Sequence, residues 1–188
     1  MQKRLAEILA YLDVSRTRVR ESVAQVNSSF AEIRPRSEAW SVAEIVNHLA
    51  IVEANVAKLI TRSSIWGREN GIGPETSDES VLRTLDSHSI AEGGTPFTAP
   101  ERITPPRESK MEDAERALIE SRRALRGALA DADGLDLSAI TRPHPRFGDL
   151  NMYQWALFVG QHDERHVRQI ERTLIEVRES AAKSAPIF

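Results

Sequence analysis

Asn-Met-Tyr-Gln-Trp-Ala-Leu-Phe-Val-Gly-Gln-His-Asp-Glu-Arg-His-Val-Arg-Gln-Ile, residues 151–170, places Trp155, Phe158, Val159 and Ile170 at helical spacing. Leu174 and Val177 carry the same stripe to about Glu179, and Asn151 is a good residue to cap the start. His162 and His166 stand four residues apart and so lie one turn apart on one face. At about 100° per residue both fall inside the apolar stripe, so this helix turns two imidazoles toward an interior. The rest of the chain has to supply the helices that enclose them.

Working toward the N-terminus, residues 107–130 carry Met111, Ala114, Leu118, Leu125 and Leu129 among good helix formers and read as a third helix. Gly134 and Pro143 fall in the linker beyond it. Residues 67–106 hold Gly71, Gly73, Pro74, Gly93, Gly94, Pro96, Pro100, Pro105 and Pro106, which no continuous helix tolerates. This stretch is a connection whose job is crossover or lid, and Ser77 to Leu82 could cap a short helix within it. Before it, Ser41-Val42-Ala43-Glu44 has the form of a capping box, and Val42, Ile45, Leu49, Val52, Val56 and Leu59 continue as a second helix to about Ser63. His48 sits at the edge of that stripe, again turned inward. Leu5, Ile8, Leu9, Leu12, Val19, Val23, Val26 and Phe30 mark a first helix over residues 3–30, which Pro35 ends.

Four helices with no convincing strand and no internal repeat pack most naturally as an all-α four-helix bundle. The connection between helices two and three, about 40 residues, is long enough to run the length of a bundle. Those two helices are then expected to be parallel, in up-down-down-up order; an up-and-down bundle with an inserted loop is the alternative. The chain reads as one domain over residues 1–180, with a fraying tail over 181–188.

Composition excludes several functions. The 188 residues carry 25 Lys+Arg against 28 Asp+Glu with no basic block, so no nucleic-acid partner is expected. No run approaches the ~18 apolar residues of a membrane span, and the N-terminus opens directly into a helical pattern, so a cytoplasmic protein is expected. Cysteine is absent, which removes thiolate ligands and a cysteine nucleophile and leaves nitrogen and oxygen chemistry.

His48, His162 and His166 therefore form the candidate metal site. Buried imidazoles without partners are a poor structural choice, and three neutral ones suit zinc, nickel or iron(II) while leaving positions open for water or substrate. The competing reading is a hydrogen-bonded core pair with His48 unrelated. His162-Asp163-Glu164-Arg165-His166 fails as a zinc-protease motif, because aspartate follows the first histidine and no third ligand lies downstream. Glu44, one turn before His48, could steer or ligate, although capping competes and is favoured. Gln169 could bond a substrate or a ligand's second nitrogen, against a plain structural hydrogen bond. Arg165 could bind an anionic substrate, against simple solvation. Asp163 is read as a flank residue that orients an imidazole or faces solvent, Glu164 as a solvated carboxylate, and His88 and His144 as loop residues that could reach a cleft. No catalytic residue is assigned.

The segments Trp40 to Leu49, His144-Pro145-Arg146-Phe147-Gly148-Asp149-Leu150, and His162 to Ile170 together resemble the DinB/YfiT-like superfamily over essentially the whole chain. The resemblance implies an up-down-down-up four-helix bundle holding one divalent ion through His48, His162 and His166. The superfamily is similar in architecture to metal-dependent transferases for low-molecular-weight thiols, to mycothiol-dependent isomerases and to proteins labelled metal-dependent hydrolases; with no cysteine in the chain, the expectation is a metal-dependent enzyme that transfers an external low-molecular-weight thiol to an electrophilic small molecule. The alternatives are a hydrolase using metal-bound water and a stress-associated metal-binding protein without turnover; a metal-free interaction module stands apart from both. A homodimer formed through an apolar helix face is compatible with such bundles.

Overall fold

The computed structural model describes residues 1–92 and 99–184. Among these residues five α-helices are formed: α1 (Lys3–Ala24), α2 (Ser28–Ala31), α3 (Val42–Glu69), α4 (Met111–Asp131) and α5 (Met152–Ser184). The four long ones make the bundle. Directions follow from which residues touch. Arg18 donates to Glu164 at 3.0 Å and Arg178 to the Gln25 carbonyl at 3.2 Å, so α1 and α5 run parallel. Glu108 N–H donates to Glu44 at 3.1 Å near the start of α3 and α4, while Arg68 reaches the Asp131 carbonyl at their ends, so these also run parallel. Gln2 meets Asp133 and Arg16 meets Leu118, which sets α1 against α4. The order is up-down-down-up, and the long connection is a crossover.

Local chemistry shifted several expected boundaries. The first helix does not continue to residue 30: the Asn27 side chain accepts the Ser29 N–H at 3.0 Å and restarts the backbone as the four-residue α2. Helix α3 passes Ser63 and ends only at Glu69. Its small residues there mark close packing, not a stop, because a Cβ on Gly67 would lie 2.6 Å from the Ile140 side chain. Helix α4 starts at Met111 rather than Arg107, after Glu108 takes a positive φ of 61°. Ser41 and Glu44 form the expected capping box. Asn151 and Gln154 exchange hydrogen bonds of 3.0 and 2.9 Å at the start of α5, which then runs past Glu179 to Ser184. Within the connection, the short 3-10 turns are at Asp86–His88 and Glu101–Ile103, not at Ser77–Leu82. Gly93, Gly94 and Pro96, and tail residues 185–188, lie outside the described residues.

The expectation of no strand needs correction. A hairpin of β1 (Thr141–His144) and β2 (Gly148–Asn151) precedes α5, pairing Thr141 with Asn151 and His144 with Gly148. Four residues per strand, one of them Pro143, leave no alternation to read, and a two-stranded hairpin this short depends on packing against helices.

Buried apolar residues form two clusters. One gathers Leu5, Leu12, Ile60, Leu125 and Leu157 with many others, and the second gathers Val19, Val42, Ile45, Leu118 and Ile170. Between them the bundle has a polar waist, where both groups of buried charged and imidazole side chains described below are found.

Candidate metal centre

Helix α3 supplies His48 and helix α5 supplies His162 and His166, and one nitrogen from each lies within 4.8 Å of the others. The three Nε2 atoms face one another: His162 Nε2 is 3.3 Å from that of His48 and 3.1 Å from that of His166. His48 and His166 are buried, whereas His162 retains partial access to the cleft above it. Trp40 packs on His48 with ring centroids 4.9 Å apart, and Phe158 packs on His162 at 5.3 Å.

Second nitrogens decide how these rings point. His48 Nδ1 lies 2.7 Å from the Ile103 carbonyl, which can only accept, so this nitrogen carries the proton and Nε2 keeps its lone pair. His166 Nδ1 donates to Gln169 Oε1 at 2.7 Å, with the same result. Two lone pairs are thus aimed at His162 Nε2, which has at most one hydrogen to give. Hydrogen bonding inside the trio must leave one buried acceptor without a partner, whereas a cation accepts all three lone pairs at once.

Electrostatics agree with neutral rings. Burial lowers the His48 pKa, partly countered by the hydrogen bond to Ile103. Burial, then the proximity of His48, pushes His166 down to about 3. His162 is held well below its ordinary value by burial and then by His166 and His48. Imidazoles that stay unprotonated near neutrality are ready ligands, so the donor set fits a borderline divalent ion of the zinc type.

The neighbouring candidates sort clearly. Glu44 is occupied away from the trio: its carboxylate accepts from Ser41 N–H at 2.8 Å, pairs with Arg34 at 2.5 Å and receives Glu108 N–H. Gln169 makes the expected contact to a second imidazole nitrogen, that of His166. Glu164 is not simply solvated but pairs with Arg18 across α1 and α5. Asp163 neither faces solvent nor orients an imidazole; it is 1% exposed and receives Arg16 at 3.4 Å, Arg122 at 3.1 Å and Ser15 at 3.3 Å. His88 lies beside the hairpin, with its ring 5.1 Å from that of Phe147.

A cleft of about 890 Å³ opens above the trio, with His144, Phe147, Trp155 and Phe158 on one side and Arg165 and Arg172 on α5 at its mouth. His144 is a working part of this wall. Its ring stacks on Phe147 at 4.6 Å, its Nδ1 accepts the Arg146 N–H at 3.1 Å, and burial followed by His88, Arg102 and Arg146 lowers its pKa to about 4. The remaining proton is therefore on Nε2. Sequence reasoning missed the Ile103 carbonyl altogether, and no side-chain signal could have revealed it, because a main-chain acceptor carries no residue type. It also missed Trp40 as a contact of His48 and Phe147 as a cleft wall, although both fall in the motifs that carried the resemblance.

Comparison with known proteins is consistent across sequence and fold. The model of the DinB superfamily matches residues 11–170, a span that includes all three histidines. The chain is similar to the uncharacterized protein YuaE of Bacillus subtilis (strain 168), 25% identical over 142 residues that cover 73% of this chain and 79% of the relative. A solved structure, TT2238, described as a four-helix bundle protein, superposes with a TM-score of 0.59 at 20% identity, covering 89% of this chain and 98% of that one. This likeness concerns the fold alone.

Proposed function

The chain belongs to the DinB superfamily, and from that premise we propose that it is a metal-dependent enzyme transferring a low-molecular-weight thiol to an electrophilic small molecule. One divalent ion, zinc or nickel before iron, is held by His48, His162 and His166. The observation that carries this reading is the convergence of three Nε2 atoms, two of them with lone pairs fixed by Nδ1–H bonds to Ile103 and Gln169. A chain without cysteine has no thiolate of its own, so a thiol nucleophile must enter from outside.

When bound, the metal supplies Lewis acidity that favours the thiolate over the thiol. The residues around it do the rest. Phe147, Trp155 and Phe158 offer an apolar wall against which an electrophile can lie and exclude water. His144, neutral with its proton on Nε2, offers that N–H to the developing charge of the electrophile or its leaving group. Ile103 and Gln169 keep the ligand rings in one tautomer throughout.

The test is one preparation of cobalt-loaded protein, examined with a panel of cellular thiols and an electrophilic reporter, beside ester and amide hydrolysis. A sulfur-to-cobalt charge-transfer band and thiol-dependent turnover are expected, both lost in His162→Ala. Thiol-independent hydrolysis with no such band for any thiol overturns the transferase reading in favour of a hydrolase using water.

A further inference from the structure

We propose that Arg146, Arg165 and Arg172 form an anion-binding subsite at the mouth of the histidine cleft, selecting small molecules that carry a carboxylate or phosphate group. The chain as a whole is acidic, at −3, yet among the described residues this cleft is lined by six arginines against three glutamates. One of those glutamates, Glu176, is already engaged by Arg36 at 3.5 Å, and Arg168 donates to the Ala91 carbonyl at 2.9 Å. Among the described residues Arg165 and Arg172 have no hydrogen-bond or ion-pair partner.

Position makes the excess purposeful. Phe158, His162, His166, Gln169 and Arg172 succeed one another at three- and four-residue steps, and Arg165 lies three residues after His162, so the arginines extend the histidine stripe along α5. Arg146 approaches from the hairpin, its guanidinium 5.7 Å from the Phe147 ring centroid. All three line the same cleft as the histidines. Like charges gathered beside three neutral imidazoles repel one another and would repel a cation further; an anion at their centre relieves both. Guanidinium forks match planar carboxylate and phosphate oxygens. A ligand anchored there extends its other end into the cleft toward His162.

This inference deepens the proposed function, on which it rests for the identity of the reacting group, but the subsite itself requires no metal. Calorimetric titration with succinate, inorganic phosphate and neutral succinamide, on metal-free and zinc-loaded protein at low salt, tests it. Binding of succinate or phosphate to both forms, with succinamide inert, is expected, and the stronger anion identifies the group. Arg165→Gln, and separately the exposed Arg146→Gln and Arg172→Gln, should each weaken binding by about tenfold while the circular dichroism stays native. Absence of anion binding to the wild-type chain, unchanged affinity in all three variants, or equal binding of succinamide overturns the subsite. Failure of zinc to bind while the metal-free chain still takes the anion refutes the metal reading and leaves the subsite standing.

Discussion

Two polar groups share the waist of this bundle, and they are built on opposite terms. On one side Arg16 and Arg122 clasp Glu53 and Asp163: Glu53 receives Arg16 at 2.7 Å, Arg122 at 2.5 Å and Ser121 at 2.6 Å, and the spare guanidinium N–H groups reach the Leu12 and Leu118 carbonyls. On the other side, one residue along α5 from Asp163, the histidines aim lone pairs at one another. The first cluster ties α1, α3, α4 and α5 together and is satisfied from within. The second has an acceptor too many. Buried polarity that closes on itself holds a fold, whereas buried polarity left open at one point marks where something else is to bind.

The comparison breaks most visibly if the closed cluster is opened. Asp163→Ala leaves two buried guanidiniums short of a counter-charge and should cost about 3–5 kcal/mol in urea unfolding. A loss below 1 kcal/mol would show that water already shares the charge. The open cluster should behave in reverse: chelated protein keeps its helical circular dichroism, and zinc at a hundredfold excess over its Kd raises stability by about 2.7 kcal/mol. His48→Ala, His162→Ala and His166→Ala should each abolish that increment in thermal melts. Metal retained by His48→Ala at full stoichiometry would reduce the site to the α5 pair.

Smaller effects sharpen the contrast. Gln169→Leu removes the acceptor that fixes the His166 tautomer, and metal affinity measured by competition with a chelator should fall by about 10–100-fold, with little change in the metal-free melt. Glu44 provides a third kind of polar group, closed like the first but at a helix end beside partly exposed Arg34. Burial raises its pKa, but Arg34 and the N–H groups of Ser41 and Glu108 outweigh this and hold it below its ordinary 4.5. A depressed carboxylate stabilises the fold above its ordinary pKa and loses that contribution as pH falls through the folded value. Glu44→Gln should therefore be less stable than wild type by about 1–2 kcal/mol at neutral pH, in denaturant titrations, with the gap closing on acidification below 4.5. A gap independent of pH would assign the effect to geometry instead of charge.

Helical periodicity by itself determined the four long helices, and the length of the crossover pointed to parallel α3 and α4. Both are local or polymer properties, readable because a buried stripe recurs every 3.6 residues and a chain has a fixed reach. The inward direction of His48, His162 and His166 was legible for the same reason. Tertiary structure alone decided the rest. Asp163 and His162 are adjacent in sequence, and nothing local distinguishes a carboxylate that meets Arg16 and Arg122 from one that meets water, because its partners come from 147 and 41 residues away. The hairpin escaped because its strands are too short to show a pattern and depend on the helices they pack against. The acceptor that fixes His48 is a carbonyl in the crossover, 55 residues away, and main-chain atoms are the same at every position until a fold brings one of them into place.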